Sequence, residues 1–177
     1  HTGMRVGEVC AVRRRDVFRR QGFVHVCGKV VDLEGGGVER VDVTKGRRSR
    51  NVSLTEREMA TVLGFIELQD SFSADFTPSS PLVSVDGSYM SPTTVSKAFR
   101  RMRDRCGLPR ECTFHSLRHT HATWLLANGA SLKDIADRLG HAQESTTLRL
   151  YAHAMPGRDQ KAAEMFDGFT DELRNGV

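Results

Sequence analysis

His115-Ser116-Leu117-Arg118-His119-Thr120, then Leu139-Gly140-His141, then Tyr151 form an ordered set of His, Arg, His and Tyr near one end of this chain. A matching arginine, Arg5, lies at the other end in Thr2-Gly3-Met4-Arg5-Val6-Gly7-Glu8. Together they supply the groups needed to open a phosphodiester without metal. A tyrosine can attack phosphorus, although its hydroxyl has a pKa of about 10 and needs a base or a strong positive field to lose its proton. Imidazole titrates at about 6.5 and can move that proton. Guanidinium groups offer forked donors to the oxygens that gain charge during attack. His115 and Arg118 share one face at a helix start, where an anion is favoured.

Each piece alone carries a plainer reading. His115 can be a helix cap and Arg118 a surface ion-pair partner. Ser131 to Gly140 followed by Ser145-Thr146-Thr147 resembles a helix-turn-helix, in which Tyr151 is a core aromatic.

The elements that must position these groups follow from patterning. Residues 3 to 13 have helical spacing of Met4, Val6, Val9, Cys10 and Val12. Phe23 to Val31 reads as one strand, Val38 to Val43 as a second and Asn51 to Leu54 as a third, with glycine turns between them. Thr55 and Glu58 form a capping-box signature for a helix through Met59, Val62, Leu63, Ile66 and Leu68. Residues 71 to 91 read as a loop, with Pro81 to Val85 a short extended piece. Ser91-Pro92 opens a helix to about Arg105. Further helices are expected over 115–128, 131–139, 144–153 and 157–168, with Gly129 and Gly140 as stops. Trp124 is expected in the core, and His119, His121 and His153 in packing or supporting roles.

The chain has 177 residues, 38% hydrophobic and 27% charged, which suits one folded domain over 1–177. No run is long and apolar enough for a membrane helix. The net charge of +4 suits a polyanionic partner. Basic residues cluster at Arg13 to Arg15, Arg19-Arg20, Lys45 to Arg50 and Arg100 to Arg105. Aromatics at 7% are too few for a single-strand stacking platform, so duplex backbone binding fits better. Cys10, Cys27, Cys106 and Cys112 lack metal-ligand spacing and read as small buried or half-buried residues in a reducing cytoplasm. No metal or cofactor is expected. The chain opens at His1, already inside a motif, and reads as a fragment of a longer protein.

Taken in order, the Thr-Gly-Met-Arg-Val-Gly-Glu opening, Thr44-Lys45-Gly46, Phe114 to Thr120, Leu139-Gly140-His141 and Tyr151-Ala152-His153 resemble the catalytic domain of the tyrosine recombinases, the phage-integrase family. The resemblance runs from Thr2 to about Phe169. It implies an α+β fold, mostly helical, with a small three-stranded antiparallel sheet, and it implies that an N-terminal DNA-binding domain is missing here. It places the phosphate-clamping arginines at Arg5 and Arg118, the histidines at His115 and His141, and the nucleophile at Tyr151. It places the hairpin lysine at Lys45, with Lys29 the alternative, and an acidic helper at Glu8. DNA-backbone contacts are expected from Arg47, Arg48, Arg50, Arg100 and Arg101.

The implied product is a 3′-phosphotyrosyl DNA with a free 5′ hydroxyl, whose ester keeps the energy for religation without ATP. The implied partner is double-stranded DNA carrying attachment sites, acted on by a homotetramer in the full-length protein of a bacterial cytoplasm. The isolated domain is expected to be monomeric. Residues 157–177 are expected to form a tail that packs on its own core or, as the resemblance implies, on a neighbouring subunit. Two rival readings stand: a type IB topoisomerase, and a non-catalytic helix-turn-helix regulator.

Overall fold

The computed structural model describes residues 1–42, 49–73 and 75–141. Lys45, Arg47, Arg48, Tyr151, His153 and the helices expected beyond residue 141 lie outside the described residues.

The helices are α1 (Val6–Ala11), α2 (Glu56–Phe72), α3 (Pro92–Arg105), α4 (Phe114–Ala127) and α5 (Leu132–Leu139). Their starts follow local chemistry. Thr55, Ser91, Thr113 and Ser131 each accept the backbone N–H three residues on, satisfying a donor that has no partner inside the helix. Pro92 fills the first turn of α3, where its missing N–H costs nothing. Gly140 ends α5 at φ 66°, in the left-handed region that glycine enters without a Cβ clash.

The expected strand over Phe23 to Val31 is two strands. Cys27 separates β2 (Phe23–Val26) from β3 (Gly28–Asp32), and the two join different sheets. β1 (Val17–Phe18), β2 and β5 (Arg50–Ser53) form a three-stranded antiparallel sheet in the order β1-β2-β5. β3 pairs antiparallel with β4 (Val38–Asp42) as a two-stranded ribbon. The extended piece at Pro81 lies against the chain after α1, with the Leu82 N–H donating to the Val12 carbonyl over 2.7 Å.

Two apolar clusters hold these pieces. Cys10 and Ala11 of α1 pack on Val30 of β3, with Val95 of α3 alongside. Ala122 and Leu126 of α4 pack on Ile135 and Leu139 of α5. Glycine permits the closest approaches: a Cβ on Gly7 would lie 2.7 Å from the Val30 carbonyl oxygen. Trp124, expected inside, is 63% exposed, because the buried face of α4 is taken by Arg118, Ala122 and Leu126 at spacings of four. Leu68 likewise lies on the open face of α2. Cys106 is exposed at the end of α3 rather than half-buried.

Candidate active site

The opening Thr2-Gly3-Met4-Arg5 segment runs against the end of α5. Gly3 has φ 65°, and a Cβ there would meet Leu139 Cδ2 at 2.6 Å and His121 Cδ2 at 2.8 Å. Backbone conformation and space both demand glycine at this point. Arg118 ties the two segments together. Its guanidinium is buried and donates to the Gly3 carbonyl at 2.7 Å and to the Leu139 carbonyl at 2.8 Å. The Leu139 carbonyl closes α5, where the helix itself supplies no further donor, and the Gly3 carbonyl belongs to the segment before α1.

Arg5 caps the N-terminus of α1. Its backbone N–H donates to Glu8 Oε2 at 2.9 Å, and its Nη1 donates to Glu8 Oε1 at 3.1 Å. The Arg5 side chain stays half-exposed while Glu8 is largely buried. Burial pulls the Glu8 carboxyl pKa up, but hydrogen bonds and charge from Arg50 and Arg5 outweigh it and hold it below the usual carboxylate range.

His115 stands in the first turn of α4, and its Nε2 lies 2.9 Å from Nε2 of His119, one turn on. One imidazole must donate and the other accept. Partial burial, then the charges of His119, Arg118 and Arg5, lower the His115 pKa. The ring is therefore mostly uncharged at neutral pH. His141 follows the Gly140 cap, and its backbone N–H donates to the Ala136 carbonyl at 2.9 Å. Burial, then Arg118, Arg5 and Arg50, push its pKa down to about 4, with Glu8 opposing. At neutral pH it is a neutral imidazole, suited to donating a hydrogen bond rather than adding charge.

Arg5 and Arg118 thus act on both His115 and His141. Residues from α1, α4 and the end of α5 share one electrostatic neighbourhood, with Glu8 beneath it. Two cations with uncharged imidazoles suit an anionic phosphate whose charge rises during attack.

The basic clusters divide. Arg100 and Arg101 lie exposed on α3. Arg103 in the same run turns inward onto the Arg110 and Cys112 carbonyls. Arg13 pairs with Asp16 and Arg14 with Asp70, so the first cluster is spent largely on internal pairs rather than displayed. Arg50, expected at the DNA backbone, is instead folded inward: it donates to both Glu8 oxygens and to the Arg138 carbonyl. Lys29 is exposed on β3. Sequence reasoning missed Arg138, whose Nε donates to His121 Nε2 at 3.0 Å. Its place in the last turn of α5 beside Leu139 is the one signal that marks it.

The chain matches the model of the phage integrase family over residues 1–158. It belongs to that family. It is 27% identical over 172 residues to an integrase of Staphylococcus phage L54a, covering 94% of this chain and 49% of the relative. It is 30% identical over 169 residues to the tyrosine recombinase XerC of Bradyrhizobium diazoefficiens, covering 89% of this chain and 47% of the relative. The chain therefore spans about half the length of these curated relatives. Among solved structures, XerA recombinase matches with a TM-score of 0.69 at 28% identity, over 96% of this chain and 54% of the other. The Tn1549 transposon integrase, solved with transposon right end DNA, shares the fold at a TM-score of 0.78 and 22% identity, over 94% of this chain and 55% of the other. As a phage-integrase family member, the chain has the mixed helical and antiparallel architecture of these catalytic domains.

Proposed function

We propose that this chain is the catalytic part of a site-specific DNA recombinase that cuts and rejoins duplex DNA through a 3′-phosphotyrosyl intermediate. The observation that carries the reading is the tie of Arg118 to the Gly3 and Leu139 carbonyls, which brings the Arg5 and His141 segments together where the charges of Arg5 and Arg118 bear on both His115 and His141. Arg5 and Arg118 bind the non-bridging oxygens of the scissile phosphate. His141 adds a neutral N–H. His115 takes the proton from the attacking phenol of Tyr151. Lys45 protonates the leaving 5′ oxygen. Bond order balances: one P–O ester forms to tyrosine as one breaks to the 5′ oxygen, so the reverse step reseals the strand without ATP.

The substrate is double-stranded DNA carrying attachment sites of a mobile element, and the acting form is a homotetramer on two duplexes. Arg47, Arg48, Arg100 and Arg101 add backbone contacts whose strength falls with salt. A nicked suicide duplex tests the reading. The complete protein should form a covalent adduct, and Tyr151→Phe should form none while still binding. Binding without any adduct in the wild type would instead mark a non-catalytic DNA-binding protein.

A further inference from the structure

We propose that Arg50 is a positioning residue of the phosphate site, holding Glu8 and through it Arg5, and makes no contact with DNA. The inference rests on the phosphate-binding reading above and adds to it a residue that never meets the substrate.

Arg50 opens β5, and its side chain is only 11% exposed. Its planar fork is used on three sides. Nη1 donates to Glu8 Oε1 at 3.1 Å, Nη2 donates to Glu8 Oε2 at 2.8 Å, and Nε donates to the Arg138 carbonyl at 2.8 Å. The turn at the end of α5 closes over it, since a Cβ on Gly140 would lie 2.5 Å from Nη1 and 2.9 Å from Cζ. One guanidinium thereby fixes β5, α1 and the backbone just before His141.

The charges explain why a second arginine is needed. Each Glu8 oxygen accepts once from Arg50 and once from Arg5, counting the Arg5 backbone N–H. Without Arg50, Arg5 alone would face a buried carboxylate and would neutralise it. With Arg50 behind it, Glu8 is already balanced. The trio then keeps one net positive charge, carried by the half-exposed Arg5 toward the phosphate. Lysine cannot replace this fork, because a single ammonium cannot span both carboxylate oxygens in the guanidinium plane.

The test uses the complete recombinase with Arg50→Lys and Arg50→Gln. DNA affinity is measured across salt concentrations, adduct formation in single turnover on the nicked duplex, and the His141 ring by NMR titration in the free protein. Arg50→Lys, which keeps the charge, should bind DNA with the wild-type salt slope while adduct formation slows at least tenfold, and Arg50→Gln should slow it at least as much. Arg50→Gln combined with Glu8→Gln should be no slower than the worse single variant. The His141 titration, set by Arg118, Arg5, Arg50 and Glu8 together, should move up in Arg50→Gln. A salt slope reduced by about one unit with normal single-turnover rates would overturn the proposal and make Arg50 a phosphate contact. If Arg50→Gln does not fold, Arg50→Lys carries the rate and slope tests. If the wild type forms no adduct, the recombinase reading fails. The His141 titration then judges Arg50 alone: an upward shift upholds its place beside the site, and no shift refutes it.

Discussion

The buried guanidinium of Arg118 donates to the carbonyl of Gly3 over 2.7 Å, joining positions 115 residues apart. A second bond from the same group reaches Leu139, two residues before His141. The residue proposed to bind phosphate is thus also the strut that brings the Arg5 segment to the His141 segment. Arg118→Lys should therefore harm more than one property. Loss of a fork aimed at a developing charge should slow adduct formation by about 10²–10³-fold. An unsatisfied buried carbonyl should cost about 1–3 kcal/mol in denaturant titration.

Gly3 and Gly64 should respond oppositely to alanine. At Gly3 the backbone is left-handed and Leu139 occupies the space, so Gly3→Ala should destabilise by about 1–3 kcal/mol. Gly64 lies inside α2 with nothing within 4 Å of a new Cβ, so Gly64→Ala should stabilise by about 0.5–1 kcal/mol. Thermal melts of the two variants check both signs.

Stability should depend on pH through two histidines. His121 and His141 are each pushed down to about 4, while an unfolded histidine titrates at about 6.5. Between those values the unfolded chain binds protons that the folded protein does not. Stability should therefore fall as pH drops from about 6.5 to about 4. Below that, the loss passes to Glu8 and Asp16, whose lowered carboxyl pKa values make their contribution vanish as acid protonates them. Denaturation midpoints across pH 4 to 8 check the slope, and His121→Asn should flatten it.

The neutral state of His141 predicts which replacement is tolerated. Tryptophan offers a neutral N–H donor and alanine offers none. In single turnover, His141→Trp should retain more adduct formation than His141→Ala. His115→Ala should cost about 10²–10⁴-fold, the range for loss of a general base. The wild-type rate should drop on the acid side only below pH 6.5, because the His115 pKa is lowered.

Much of the fold was legible because its signals are local. The Thr55 and Ser91 caps, the Gly140 stop and the apolar periodicity of α5 each act over one helical turn, and each marks an element in its expected place. The break at Cys27 was not legible. Gly28 interrupts the strand-forming run of Phe23 to Val31, but a lone glycine marks a bulge as readily as a strand end, and pairing with β5 on one side and β4 on the other is what divides it. Trp124 failed for a related reason: helical spacing shows which residues share a face, not which face is covered. In the candidate site, motifs point to His115, Arg118, His141 and Arg5, and the charges of the two arginines bear on both rings. The role of Arg50 could not be read from a motif, because a run of basic residues looks alike whether its members face solvent or, as Arg50 does, a carboxylate 42 positions away.

The central claim is that Tyr151 becomes esterified to DNA. Nuclease digestion of the trapped adduct, followed by peptide mass spectrometry, tests it most directly. The expected product is a nucleotide linked through its 3′ phosphate to the peptide containing Tyr151, with a free 5′ hydroxyl on the released strand. A nucleotide on Tyr89, the other tyrosine of the chain, or on any other residue, or linkage through a 5′ phosphate, would contradict it.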